Sequence, residues 1–151
     1  MRKSLAGFIA LAVLAAGGAA WAIDTNTLAV TANVVGTCKF SSTTSALAFG
    51  ALDPSVGTDV TVSPTTTFWC TRGVTETITN DTGLNFLVKN RMKDAVSGDF
   101  IPYSLALSKS GTNGGPGSPR TLTIAGTVLG TDYTAKSAGN YLDTVILSIN
   151  P

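Results

Sequence analysis

Apolar and polar residues alternate along most of this 151-residue chain, and the alternation predicts β-strands. The first such segment after the N-terminal apolar run covers residues 27–34, where Leu28, Val30, Ala32 and Val34 alternate with mostly polar residues. A period of two places these four side chains on one face of a half-buried strand. Because an unattached strand near a terminus can add to a neighbour's sheet, the pattern leaves open which molecule the strand completes.

The alternation continues downstream and predicts further strands, each with apolar residues sharing one face. Those residues are Leu47 and Phe49; Val60 and Val62; Phe68 and Cys70; Leu84, Phe86 and Val88; Tyr103, Leu105 and Leu107; Leu122, Ile124 and Val128; and Val145, Leu147 and Ile149. Turn residues separate these segments, and no helical period of 3.6 residues follows the N-terminal run. Several short strands with regular turns predict an all-β sandwich or barrel.

The last predicted strand has Val145, Leu147 and Ile149 on one face and is followed only by two residues. An immunoglobulin-like sandwich normally has one more strand beside its closing strand, so we expect an edge without a partner. Asp143 interrupts the apolar face of this strand. We expect its carboxylate to accept hydrogen bonds from loop backbone and to act as a structural tie.

The N-terminal residues predict a secretory signal peptide at 1–22. Arg2 and Lys3 precede an apolar run, and Ala20 and Ala22 stand at the −3 and −1 positions of a cleavage site. The run is shorter than the about 20 residues of a membrane span, so we expect no direct membrane insertion of the mature chain. Without the signal, 8 basic residues face 9 acidic ones, which gives no reason to expect nucleic acid as a partner.

Few residues of this sequence are candidates for catalysis or metal binding. The sequence has no histidine, which removes the common catalytic triads and the commonest metal ligand, and we expect neither cofactor nor enzyme. The acidic residues are scattered and expected mostly at turns: Asp53, Asp81, Asp94, Asp99 and Asp132. The basic cluster at 89–93 is expected to be a solvated hairpin end, and the glycine-rich segment at 111–119 a flexible hairpin connection. In an exported chain, Cys38 and Cys70 favour one disulfide over free thiols or a metal pair.

Several motifs, in order, carry a family resemblance. They are LAVTANVVGTC at 28–38, LAFG at 47–50, FWC at 68–70, YSL at 103–105, LTIAGTV at 122–128 and AGNYLDTV at 138–145. Together they make the chain resemble the spore coat protein U domain family, which includes the secreted pilins of archaic (Csu-type) chaperone–usher pili.

The resemblance implies an incomplete immunoglobulin-like β-sandwich that is completed by donor-strand exchange. It implies a donor extension at 23–35, whose Leu28, Val30, Ala32 and Val34 insert into another subunit, and a sandwich domain at 36–151. It also implies an acceptor groove edged by Val145, Leu147 and Ile149, and a disulfide between Cys38 and Cys70.

The function expected from the resemblance is that of a structural subunit of a surface pilus supporting adhesion and biofilm formation. A periplasmic chaperone, an outer-membrane usher and copies of the chain or related pilins would be its partners. The subunit would pass through the periplasm to the cell-surface fimbrium. The alternatives are a secreted coat protein and a small adhesin or carbohydrate-binding sandwich.

Overall fold

The computed structural model describes residues 23–151, so the predicted signal peptide at 1–22 lies outside the described residues. The chain divides into two units, residues 1–33 and 34–151. In the first unit, residues 23–33 form no strand and their side chains are exposed; Leu28 and Val30 are each 82% exposed. The alternating segment therefore belongs to no ladder in this structure.

The second unit is built almost wholly of strands. They are β1 (Cys38–Phe40), β2 (Val60–Val62), β3 (Thr65–Cys70), β4 (Thr77–Asn80), β5 (Asn90–Asp94), β6 (Phe100–Ser110), β7 (Arg120–Val128), β8 (Tyr141–Leu142) and β9 (Leu147–Asn150). One short helix, α1 (Gly130–Tyr133), follows β7. The predicted all-β class is confirmed.

The strands form two antiparallel sheets. The larger has the order β1-β3-β7-β6-β5-β8, with β2 pairing the far end of β7, and the smaller pairs β4 with β9. Ile78 and Ile149 of the smaller sheet pack against the buried Phe68 and Leu122 of the larger one, so the two sheets meet face to face. This is the sandwich arrangement that alternating strands produce.

Strand β7 is the centre of the larger sheet, and its sequence shows why. Leu122, Ile124 and Val128 are buried, whereas the threonines between them are only partly covered. Threonine and the β-branched apolar residues both favour a pleated strand, and their alternation fixes which face turns inward. A second core cluster lies around Val128, Ile101, Tyr103 and Tyr133.

The disulfide joins Cys38 to Cys70, which are partners across the β1–β3 ladder. Cys70 is fully buried in the first core cluster, which it forms with Phe68, Leu122 and Ile124. In the chain-entropy model, closing a loop of this length stabilises the fold by about 3–4 kcal/mol. The bond fixes the short strand β1, which has only three residues, to the interior of the sheet.

Two predictions about the region before β6 are wrong. Leu84 and Val88 were expected on a strand face, but residues 83–89 form a loop in which Leu84 is 78% and Val88 82% exposed. The basic cluster after it was expected to be a solvated hairpin end, but it forms β5, between β6 and β8. Arg91 and Lys93 lie over the ring of Phe100, so cation–π contacts accommodate their charges on the sheet surface.

Most of the predicted turn aspartates do hold turns. Asp53 accepts hydrogen bonds from the backbone and hydroxyl of Ser55, and the buried Asp94 accepts bonds from Ser97. Asp132 instead lies in α1. The glycine-rich connection between β6 and β7 is anchored, because the Asn113 amide donates to two backbone carbonyls of the 71–74 turn.

The only glutamate of the sequence, Glu76, is buried at 5% exposure. Its carboxylate forms salt bridges with Lys109 and Arg120, and the Arg120 guanidinium also lies over the ring of Phe68. Burial opposes ionisation, but the bond from Lys109 and the charges of both cations outweigh it and lower the pKa of Glu76. This cluster ties β6 and β7 to the segment before β4.

We expect Glu76→Gln to lower the free energy of unfolding by about 1–3 kcal/mol at pH 7, because two cations lose their charged partner. Since folding lowers this pKa, the carboxylate stabilises fully above its ordinary value of 4.5 and less as the pH falls through the folded value. The difference between variant and wild type in denaturant titrations should therefore shrink towards pH 2. Asp24→Asn, at an exposed position, is the control, and an equal loss at both pH values would contradict the prediction.

Candidate functional site

An open groove of about 420 Å³ lies in the second unit, between two chain segments that face each other. One wall is formed by residues 42–47 and the other by residues 141–147. Below them, the lining comes from Met92, Tyr103, Leu105 and Ile124 of the larger sheet. The groove is therefore an uncovered part of the sandwich interior.

The first wall follows β1 without forming a strand. Leu47 and Phe49 pack against the second core cluster, and the Phe49 ring lies 6.0 Å from that of Tyr103. Gly126 of β7 makes this approach possible, because a Cβ there would meet Leu47 Cδ2 at 2.6 Å. A side chain at 126 would push this wall away from the sheet.

The second wall alternates as its sequence predicts. Tyr141, Val145 and Leu147 are half-buried, whereas Leu142 is 73% exposed. One backbone edge of this wall is used: β8 pairs with β5, β9 pairs with β4, and the Ile146 carbonyl accepts a bond from the backbone of Asp81. The other edge faces the groove.

Within the described residues, no backbone hydrogen bond joins the two walls. Side chains of the larger sheet lie beneath the walls, and the groove-facing backbone has no ladder. An unpaired edge beside a groove with an apolar floor is a template for another strand. Geometry and composition together therefore suit the groove to an extended peptide with apolar residues at every second position.

Asp143 is the one carboxylate in the groove lining. Its Oδ1 accepts hydrogen bonds from the Leu84 backbone N–H at 3.0 Å and from the Asn85 amide at 3.2 Å. Its Oδ2 accepts the hydroxyl proton of Tyr103 at 2.7 Å. The expected bond from loop backbone is present, and the carboxylate links the wall, the groove floor and the loop before β5.

This environment also acts on Tyr103. Burial raises the pKa of its phenol, and the hydrogen bond to Asp143 and the negative charge there raise it further. The hydroxyl therefore stays protonated over the physiological range and remains a donor to the carboxylate. The contact behaves as a fixed structural pair rather than as an acid–base couple.

The structure places the sequence-predicted site residues in three groups. Val145 and Leu147 line the groove, whereas Ile149 lies beyond it, opposite Ile78 in the β4–β9 ladder. Cys38 and Cys70 form the disulfide described above. The four alternating residues are exposed and belong to no ladder among the described residues: Leu28, Val30, Ala32 and Val34.

Sequence reasoning missed half of the groove. The wall at 42–47 is a run of serine, threonine and alanine with no periodicity that could indicate it. Met92 stands within the basic cluster at 89–93 and was not predicted to line a groove. Tyr103 was predicted to lie on a strand face, but no role was predicted for it. Of these residues, only Tyr103 could have been identified from the sequence. A buried phenol needs a hydrogen-bond partner, and Asp143 was the carboxylate predicted to face inward.

Other kinds of site find no support in the part of the chain that the structure describes. Residues 23–151 contain no group of three or more His, Cys, Asp or Glu placed to hold a metal ion. None of the helices described there is long and apolar enough to cross a membrane.

Comparisons with known proteins give one family and one solved structure. The family model of the Spore Coat Protein U domain matches residues 24–148. A crystal structure of the CsuC–CsuE chaperone–tip adhesion subunit pre-assembly complex, from archaic chaperone–usher Csu pili of Acinetobacter baumannii, is similar with a TM-score of 0.51 and 16% sequence identity. The similarity covers 77% of this chain and about 40% of that one, and it shows the fold. No curated protein matches the chain.

We expect Asp143→Ala to lower the free energy of unfolding by about 2–3 kcal/mol, because the Tyr103 hydroxyl and the Leu84 N–H lose their acceptor. Tyr103→Phe, which removes one of these bonds, should cost about 1 kcal/mol. Thermal and denaturant unfolding measure both changes. Unchanged melting of Asp143→Ala would show that the carboxylate is not a structural tie.

Proposed function

The chain belongs to the Spore Coat Protein U domain family, and we propose that it is a structural pilus subunit assembled by donor-strand exchange. In this proposal the groove between 42–47 and 141–147 accepts residues 27–34 of another copy or of a related subunit. The observation that carries it is that one chain contains both a groove with an apolar floor and an unpaired backbone edge, and an exposed alternating segment.

Side-chain burial and new hydrogen bonds would drive such an exchange, and the ordering of the donor would oppose it. Burying Leu28, Val30 and Val34 contributes about 1.5–3 kcal/mol per side chain. Ladder hydrogen bonds to the groove-facing backbone add to this, against an ordering cost of about 1–2 kcal/mol for each residue of the donor. The groove walls are already in place, so the acceptor loses little further freedom on binding.

The inserted strand should run antiparallel to the second wall. All seven strand pairings of the described residues are antiparallel. A donor antiparallel to β9 would extend the smaller sheet in the manner of an immunoglobulin sandwich. The donor's N-terminal end then lies towards Asn150, and its C-terminal end lies towards Tyr141.

The side chains favour one register. Four inward-facing wall residues line the groove, and four apolar residues alternate in the donor. The register that matches all four pairs Leu28 with Leu147, Val30 with Val145, Ala32 with Asp143, and Val34 with Tyr141. This register places Ala32, the smallest of the four donor residues, opposite Asp143. At this position the side chain of Tyr103 already occupies the groove floor. A shift of two residues either way would set a valine there.

Each copy would then give one strand and receive one. Such head-to-tail contacts do not close and so generate a filament. Before assembly the apolar groove needs another cover, which is the role we assign to a periplasmic chaperone, with an outer-membrane usher exchanging it. The similar solved structure is itself a chaperone–subunit complex. The chain would pass from the periplasm to the cell surface and serve adhesion and biofilm formation as a scaffold, without catalytic turnover.

Aspartate substitutions on alternate faces of the donor test the proposal. Leu28→Asp with Val30→Asp should abolish polymers, because two carboxylates would enter the apolar groove. Thr27→Asp with Thr31→Asp adds the same charge on the other face of the same segment and should leave polymerisation largely intact. Analytical ultracentrifugation of the mature chain, or the amount of surface fibre in the producing cell, gives the measurement. Equal effects of the two pairs would contradict donor insertion.

The register is tested with double-mutant cycles. An acceptor chain that cannot donate, carrying Leu28→Asp and Val30→Asp, is titrated with labelled peptides of residues 23–35. Val145→Ala should couple to Val30→Ala in the peptide by about 0.5–1 kcal/mol, and Leu147→Ala should couple to Leu28→Ala. Stronger coupling of Val145 to Leu28 or to Ala32→Gly would show a register shifted by two residues.

A further inference from the structure

We propose that the loop at 83–89 is a second contact between successive subunits, covered by the body of the copy that donates the strand. The proposal rests on the proposed function, since it uses the position of the inserted donor. It assigns an interaction surface to a region that lies outside the groove. The partner is a second copy of this chain, and the contact on that copy is the root of its donor segment.

The loop turns its apolar side chains to solvent. Leu84, Phe86, Leu87 and Val88 are all exposed, by 43–82% of their surfaces. Scattered exposed apolar residues are ordinary, but four in five consecutive positions form a patch of the kind that marks an interaction site.

The loop is also held in place. The Leu84 N–H and the Asn85 amide donate to Asp143, the Asn85 carbonyl accepts a bond from Arg91 Nε at 2.8 Å, and the Thr82 carbonyl accepts one from Asn90. Polar groups thus point into the domain while apolar side chains point out. In most loops the polar side chains face solvent, so this loop has the reverse arrangement. Because hydrogen bonds anchor the loop, its apolar side chains stay exposed and do not pack onto the core.

The antiparallel donor places the next copy beside this loop. Its Val34 lies at Tyr141, and only Val35, Gly36 and Thr37 separate Val34 from β1 of the donating copy. Three residues span about 10 Å at most. The loop is bonded to this same end of the wall, because the Asn85 amide also donates to the Leu142 carbonyl at 3.4 Å. The donating copy therefore cannot sit far from the loop.

Val35 makes the first contact. It follows the four inserted residues, so its side chain points to the opposite, outer face of the donor strand. Leu142 is also on that outer face, diagonal to Val35 in the proposed register and within side-chain reach. Val35 is exposed in the structure, as is Leu142. Packing of Val35 of the donating copy against Leu142 and the loop of the accepting copy would cover an apolar surface on each copy. The contact would also restrict bending between successive subunits.

The test compares a donor peptide with a whole donor subunit. Leu87→Ser with Val88→Ser changes only exposed side chains, so folding should be kept and thermal melting checks it. The same pair is introduced into the non-donating acceptor carrying Leu28→Asp and Val30→Asp, for titration with a peptide of residues 23–34, which ends before Val35. It is also introduced into the mature chain with its own donor intact, for self-association. Val56→Ser, on the separate exposed 53–57 turn, is the matched control.

We expect peptide affinity to stay within about twofold, because the peptide has no body to cover the loop. The association constant between whole subunits should fall by about tenfold or more in Leu87→Ser with Val88→Ser and remain unchanged in Val56→Ser. Tight peptide binding with unchanged self-association would overturn the loop contact while leaving donor-strand exchange standing. Failure of the wild-type groove to bind the peptide would overturn both.

Discussion

Backbone N–H and C=O groups along residues 141–147 need hydrogen-bond partners on two sides, and the fold supplies them on one. The far edge of this wall is paired with β5 and β4, whereas the other edge faces the groove. In a compact domain such an edge would normally be covered.

Three features keep the groove-facing edge open, and each acts through a different physical interaction. Gly126 gives Leu47 and Phe49 room to lie on the sheet, so the first wall is set by steric fit. The Asp143–Tyr103 pair places a satisfied polar group beneath the second wall, and a satisfied buried group resists collapse because moving it would break strong bonds. Apolar side chains of both core clusters form the groove floor, so the floor is packed like the core.

The sequence predicted those parts of the fold in which alternation and burial coincide. At Leu122–Ile124–Val128 and at Val145–Leu147–Ile149 the apolar face is the inward face, so the period of two was enough. The same period misled at Leu84–Phe86–Val88, because side-chain bonds to Asp143 and Arg91 hold this segment as a loop with its apolar residues outward. Local pattern carries no information about such long-range ties. The wall at 42–47 and the burial of Glu76 depend on partners distant in the chain and were likewise invisible.

The disulfide has a mechanical consequence if the chain works in a fibre. A load carried by the donor strand of a subunit reaches its domain at β1, a strand of three residues that ladder bonds alone would hold weakly. The bond from Cys38 passes that load directly to Cys70 in the buried β3, one strand away from the central β7. The point of entry is thus covalently anchored to the most deeply packed part of the domain. Under tension, the domain would therefore resist peeling from its donor end through a covalent bond, and not through the ladder of β1 alone.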